Sequence, residues 1–154
     1  VGAGPFPTEL IDETGEEIRK IGDEFGATTG RPRRCGWLDL VALRHAVRVN
    51  GVTSLAVTKL DVLDSFATLK VCTQYELNGV TMNEVPLDLA ELVHVKPKYE
   101  TLPGWQATTS GKTTLESLPA RARHYLDYLS NALEVPVCLI STGAKREATI
   151  RVTA

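Results

Sequence analysis

The chain is 154 residues long, the size of one ordinary domain. Its residues are 43% hydrophobic and 23% charged, which excludes a disordered tail and a Gly/Pro-dominated fibre. Lys and Arg total 17 against 19 Asp and Glu, a net charge of −2, so it is not built as a general nucleic-acid wrapper or a polybasic membrane binder. Cys35, Cys72 and Cys138 are scattered and odd in number, with no CxxC and no Cys/His cluster. This argues against a disulfide framework or a structural zinc site and favours a reducing compartment, the cytoplasm. The longest apolar run, Val135 to Ile140, contains Pro136 and is too short to span a bilayer.

In chain order, the opening Val1-Gly2-Ala3-Gly4-Pro5-Phe6-Pro7 begins without Met and reads as the middle of a longer protein. The expectation is either a removed leader or a larger parent chain. Residues 1–11 are read as a structured loop. Asp12 to Gly22 predicts a short helix carrying Ile18 and Ile21. Gly22 to Gly36 has little apolar content and reads as a long loop, expected to be mobile without ligand. Trp37 to Val49 has helical spacing, with Asn50-Gly51 as its stop.

Ser54 to Thr58 predicts a short buried strand. Leu69 to Leu77 alternates polar and apolar residues, Asn78-Gly79 follows, and Val80 to Val85 continues, a hairpin signal. Residues 96–114, with Pro97 and Pro103, read as irregular. A second helix is expected from about Ser117, with Ala122, Tyr125, Leu126, Leu129 and Leu133 at i, i+3, i+4, i+7 spacing. Val135 to Ile140 and Ala148 to Val152 complete the strands. The class expected is α/β: a partly parallel sheet with flanking helices plus an antiparallel hairpin, in a single domain over 1–154.

Three stretches hold candidate chemistry. Thr58-Lys59-Leu60-Asp61 follows a buried strand, and α/β proteins bind ligands at the carboxyl ends of their strands. An ionised Asp only accepts hydrogen bonds, and guanine presents N1–H and its exocyclic amine side by side. The Lys stem can lie on a purine face. The tetrapeptide resembles the [N/T]KxD motif of GTP-binding proteins; equally, it is an ordinary solvated strand end. Ser141-Thr142-Gly143 also follows a strand, as a base-contacting loop or a plain turn. Gly26-Ala27-Thr28-Thr29-Gly30-Arg31-Pro32-Arg33-Arg34 offers hydroxyls and three arginines, suited to a small anion; the alternatives are a solvated basic turn or an RNA patch of Arg31, Arg33 and Arg34. No aromatics interleave with those arginines, which disfavours a nucleic-acid stacking surface. His45, His94 and His124 show no partner and read as structural or surface residues.

An ordered set of segments carries a wider resemblance. These are Gly4-Pro5-Phe6-Pro7-Thr8-Glu9, Glu24 to Arg31, Arg33-Arg34-Cys35-Gly36-Trp37, Thr58 to Leu63, Tyr99 to Trp105, and Ser141-Thr142-Gly143. Together they resemble the C-terminal part of adenylosuccinate synthetase, essentially from end to end. The resemblance implies a P-loop-NTPase-like relative and a GTP- and Mg²⁺-dependent ligase of purine biosynthesis, homodimeric, joining IMP to L-aspartate. It implies that GTP phosphorylates the 6-oxygen of IMP and that the aspartate amine displaces this phosphate. It further implies that Ala27, Thr28, Thr29, Gly30, Arg31 and Arg33 hold aspartate, with Arg31 and Val1 toward IMP and Val1 and Gly2 near its ribose. Arg33 would also face the GTP phosphates; Lys59, Leu60 and Asp61 would read guanine, and Ser141, Thr142 and Gly143 would close the base pocket.

Family members also carry a Gly-Asp-Glu-Gly-Lys-Gly-Lys phosphate loop, with a catalytic Asp, and a His further on. These 154 residues contain no such loop: Gly111-Lys112-Thr113 lacks the upstream glycine of a P-loop, position 106 being Gln. The expectations are no catalytic residue and no metal ligand in this stretch, and no activity by the chain alone. The alternative reading is a free-standing guanine-nucleotide or anion-binding module without catalysis.

Overall fold

The computed structural model describes residues 4–88 and 90–152. The elements run α1 (Glu13–Ile21), β1 (Leu38–Asp39), α2 (Leu40–Asn50), β2 (Leu55–Val57), β3 (Thr68–Leu77), β4 (Val80–Met82), β5 (Lys96–Pro103), α3 (Ala120–Leu133), β6 (Val137–Ser141) and β7 (Thr149–Arg151). Short 3₁₀ turns occupy Leu60–Leu63 and Glu91–Val93. Parallel and antiparallel pairings coexist, as the α/β reading expects. The chain forms two compact units that interleave in sequence. One comprises residues 1–45 and 70–101, the other 46–69 and 102–154.

In the first unit, α1 starts where the Asp12 side chain accepts the Gly15 N–H at 3.1 Å, an N-cap, and ends at Gly22. The predicted helix from Trp37 begins later, at Leu40. Leu38 and Asp39 instead pair in parallel with Val71 and Cys72 of β3, and Asp39 Oδ1 takes the Ala42 N–H at 3.0 Å. A strand and a helix are thus joined without a loop, because one carboxylate caps the helix from the last strand residue. The hairpin forms at Asn78-Gly79, both at positive φ (52° and 80°), the geometry that a type I′ turn requires. β4 stops at Met82, short of the expected Val85. β5 pairs with β3. Its prolines at Pro97 and Pro103 made it read as irregular, yet both stand at strand ends, where a missing N–H is tolerated.

The core of this unit gathers Val41, Cys72, Tyr75, Leu77 and Val95, with Met82, Val85 and Leu92 against it. Tyr75 is wholly buried and donates its hydroxyl to Asp39 Oδ2 at 2.5 Å. Burial, reinforced by the Asp39 carboxylate, pushes the Tyr75 phenol up. Burial beside Asp39 pushes the Cys72 thiol up to about 12.

In the second unit, β2 and β6 run parallel, with Leu55 opposite Val137, then Ala56 opposite Leu139 and Val57 opposite Ile140. Cys138 is the extra residue of a bulge, and its thiol donates to the Leu55 carbonyl at 3.3 Å. β7 pairs antiparallel to β6. All five residues of the predicted stripe on α3, Ala122, Tyr125, Leu126, Leu129 and Leu133, are buried. α3 starts after Pro119 with no side-chain cap; Ser117 donates to the Thr114 carbonyl instead. Trp105 lies against Tyr125 with ring centroids 5.9 Å apart, and the buried Tyr125 phenol is pushed up to about 12.

Two outcomes follow. Tyr75→Phe leaves the Asp39 capping carboxylate without a buried donor. It should cost about 1.5–3 kcal/mol in a denaturant titration, the range for a hydrogen bond to a charged group. The native chain also keeps protons on Cys72, Tyr75, Tyr99 and Tyr125 at pH values where the unfolded chain releases them. Stability tied to these groups is intact below their ordinary values and is lost as pH rises. The denaturation midpoint should therefore fall from about pH 9 to 12, more steeply once the tyrosines join, with no matching loss between pH 7 and 8.5.

Candidate functional site

The arginine loop lies in the first unit. Residues 22–36 form a loop, as the sequence reads, and a tight hydrogen-bonded turn lies within it. Phe25 and Pro32 form an antiparallel bridge, Gly26 N–H donates to the Arg31 carbonyl at 2.8 Å, and Gly30 N–H returns to the Gly26 carbonyl at 2.8 Å. Arg33 N–H donates to the Glu24 carbonyl at 2.9 Å. Thr29 Oγ1 faces the Arg31 N–H at 3.4 Å. Ala27, Thr28, Thr29, Gly30, Arg31 and Arg33 are all exposed, so every one of these sequence-chosen residues is open to a ligand.

The three arginines differ in their surroundings. Arg31 has no ion pair among the described residues. Arg33 pairs with Glu24 at 3.1 Å. Arg34 grips Glu9 with two bonds, Nε to Oε1 at 2.8 Å and Nη2 to Oε2 at 2.6 Å, gives Nη1 to the Gly4 carbonyl at 2.7 Å, and lies over the Phe6 ring at 5.3 Å. That hydrogen-bonded guanidinium holds the Glu9 carboxyl below its ordinary pKa. Arg34 thus fastens residues 4–9 to this loop, leaving Arg31 and Arg33 as the cations facing outward. Beside them lies a cavity of about 640 Å³ that Phe6, Ile18, Glu24, Arg33, Arg34 and Cys35 help to line. Val1 and Gly2 lie outside the described residues.

The second constellation is in the other unit, at the carboxyl ends of β2 and β6. Lys59 takes a left-handed backbone (φ 57°, ψ 41°) directly after β2, and the 3₁₀ turn Leu60–Leu63 starts there. The turn swings the chain sideways, burying Leu60 and leaving Asp61 partly open. Lys59 N–H donates to Ser141 Oγ at 2.7 Å. This bond joins two motifs 82 residues apart in the chain. Thr142 is fully buried; its hydroxyl donates to the Lys112 carbonyl at 2.9 Å and its N–H to the Ala148 carbonyl at 2.9 Å. Gly143 lies next in the chain, half-buried.

Asp61 Oδ1 stands apart: it is buried and has no hydrogen-bond partner among the described residues. A carboxylate oxygen withdrawn from water and left unpaired is costly unless a ligand supplies the donor. Sequence reasoning chose Lys59, Leu60, Asp61, Ser141, Thr142 and Gly143, and the fold brings all six to one end of the parallel pair. It missed Asp64, which accepts from Trp105 Nε1 at 2.7 Å, Thr109 Oγ1 at 2.8 Å and Thr109 N–H at 2.7 Å. No local pattern marks a partner 45 residues away. His45, His94 and His124 are all exposed. No group of three or more His, Cys, Asp or Glu placed to hold a metal occurs among the described residues, and none of their helices is long and apolar enough to cross a membrane.

Residues 1–150 match the family model described as adenylosuccinate synthetase. The adenylosuccinate synthetase of Geobacter sulfurreducens is 52% identical over 150 residues, covering 97% of this chain and 35% of that protein. That of Chlorobium chlorochromatii is 54% identical over the same shares. Among solved structures, the fully ligated adenylosuccinate synthetase from Plasmodium falciparum superposes with a TM-score of 0.93 at 32% identity, over 99% of this chain and 37% of that one. The chain spans about a third of the length of these relatives. With a matching model over nearly its whole length and a fold that agrees, the chain belongs to the adenylosuccinate synthetase family.

Proposed function

We propose that the chain is the aspartate- and guanine-binding C-terminal part of an adenylosuccinate synthetase, a single structural part of the GTP-dependent ligase that joins IMP and L-aspartate in AMP biosynthesis. The parent enzyme is cytoplasmic and homodimeric and uses neither nucleic acid nor membrane. The observation that carries the reading is the buried, unpartnered Asp61 Oδ1 beside Lys59 and Ser141.

In this reading Asp61 accepts from guanine N1–H and the exocyclic amine. Adenine presents no such donor pair, so the orphaned oxygen is satisfied by one base and left unpaired by the other. The left-handed backbone at Lys59 sets its aliphatic stem against the base. Ser141, Thr142 and Gly143 line the rim at the guanine carbonyl. Leu60 fills the core beneath the turn and fixes its depth.

Arg31 and Arg33 take the two carboxylates of L-aspartate, with Thr28 and Thr29 adding hydroxyl and backbone contacts. Arg31 also serves IMP, and Arg33 the GTP phosphates. The Glu24 partner leaves Arg33 oriented before ligand arrives, and an incoming carboxylate shares or displaces that pair. Mg²⁺, which the family chemistry uses, does not fit the described residues, because no three ligating side chains converge there. No step is derived through it. The groups that move protons and cradle phosphate belong to the rest of the parent enzyme.

Titration of the chain with GDP and with ADP tests the base pocket. GDP should bind preferentially. Asp61→Asn, which sets a donor against guanine's donors, should erase the preference, a loss of about tenfold or more for a charge-assisted bond. A GDP preference that survives Asp61→Asn refutes the assignment. The chain alone should form no adenylosuccinate from GTP, IMP and aspartate, whereas the parent enzyme rebuilt around it should. Continued inactivity of the rebuilt enzyme would favour a binding module without catalysis.

A further inference from the structure

Asp64, Thr109 and the turn that follows Thr109 connect the two halves of the guanine-reading constellation. Asp64 closes the 3₁₀ turn begun at Leu60: its N–H donates to the Asp61 carbonyl at 3.2 Å. Its carboxylate then takes three bonds from one short segment, the Trp105 indole N–H, the Thr109 hydroxyl and the Thr109 N–H. Trp105 is itself fixed against Tyr125 of α3. Thr109 is wholly buried and Asp64 half-buried, so these bonds are partly shielded from water and strengthened by it.

From Thr109 the chain turns back at once. Lys112 N–H donates to the Thr109 carbonyl at 3.0 Å, with Gly111 at φ +75°, the third-position conformation of a type II turn. The Lys112 carbonyl is where the turn delivers its second contact, receiving the Thr142 hydroxyl at 2.9 Å. Gly111-Lys112-Thr113, suggestive of a phosphate loop by composition, thus acts through one backbone carbonyl. One four-residue turn reaches the Lys59–Asp61 side through Asp64 and the Ser141–Gly143 side through Thr142. The Lys59 N–H to Ser141 Oγ bond closes the circuit.

We propose that Asp64 and Thr109 are positioning residues for guanine specificity: they fix the distance between Asp61 and the Ser141–Gly143 loop. The inference rests on the guanine-reading role of Asp61 proposed above. Three strong acceptor bonds on Asp64 hold the 3₁₀ turn at one rotation, and rotation decides whether the Asp61 carboxylate faces the base edge. A loosened turn still admits a nucleotide by its phosphates but no longer distinguishes its base.

The test uses the full-length enzyme containing this chain and compares GTP with ITP, which lacks the exocyclic amine. Asp64→Asn places an amide donor or a neutral acceptor against the Thr109 donors. Thr109→Val removes one hydroxyl, and Thr109→Ser restores it. Asp64→Asn and Thr109→Val should raise KM for GTP about tenfold, with kcat within about twofold, and should shrink the GTP/ITP ratio of kcat/KM. Thr109→Ser should recover both. In an Asp61→Asn background the Asp64→Asn substitution should add little further loss of selectivity. Equal losses for GTP and ITP, or a fall in kcat at unchanged KM, in soluble folded variants would overturn the positioning role. Selectivity unchanged in Asp61→Asn itself would overturn the base-reading assignment and this inference together. Selectivity lost in Asp61→Asn but kept in Thr109→Val and Asp64→Asn would overturn this inference alone.

Discussion

The parallel pairing of β2 with β6, and its single bulge, is the constraint on which the second unit's constellation depends. Side chains alternate along a strand, so a one-residue slip exchanges its faces. The extra residue, Cys138, advances β6 by one position, so that Val57 meets Ile140 and, just beyond, the Lys59 N–H reaches Ser141 Oγ. Ile140 is buried and its neighbour Leu139 is exposed, as a fixed register demands. β2 ends at Val57 and β6 one residue beyond the paired Ile140, at Ser141, so two short polar loops from distant parts of the chain emerge side by side. Without the bulge the apolar side chain of Ile140 would turn away from the core, and the loops would leave at different heights.

The two units reach rigidity in different ways. In the first, Asp39 does two tasks with two oxygens: one caps α2, the other takes the buried Tyr75 hydroxyl. A short strand and a helix are welded at one residue. In the second, Asp64 gathers three donors from a segment with no regular structure. Each of these half-buried carboxylates is tolerated because donors of the fold meet its oxygens. Asp61 is the exception, and its unmet oxygen marks the place where the fold stops satisfying itself.

Much of this was legible in the sequence because it is local. Asn78-Gly79 specifies its turn through positive φ, the α3 stripe through its spacing, and Asp12 its helix through a three-residue reach. What escaped is non-local. Leu38–Asp39 looked helical because Trp37, Leu40 and Val41 continue the period, and only β3 pulls them into a strand. β5 was hidden by Pro97 and Pro103, which read as breakers until their end positions are known. The order of the motifs carried the family, but the closure of Lys59 on Ser141 and of Asp64 on Thr109 depends on pairing that no window of sequence contains. The arginine loop was legible as a loop of little apolar content; its internal hydrogen bonds, which make part of it a turn with a definite shape, were not readable from composition.

The left-handed backbone at Lys59 has a further meaning. A non-glycine residue gives up about 1–2 kcal/mol to adopt it. At Lys59 it lets the chain turn aside directly after β2 and carry Leu60 into the interior. The chain therefore carries a small standing tension where its parallel strands open, held in check by the bond to Ser141. Variation at this position is doubly restricted: glycine would relax the backbone but delete the stem and charge, and β-branched residues would keep bulk but resist the conformation. Backbone and side chain at this position therefore set separate demands, although its surface is open to water.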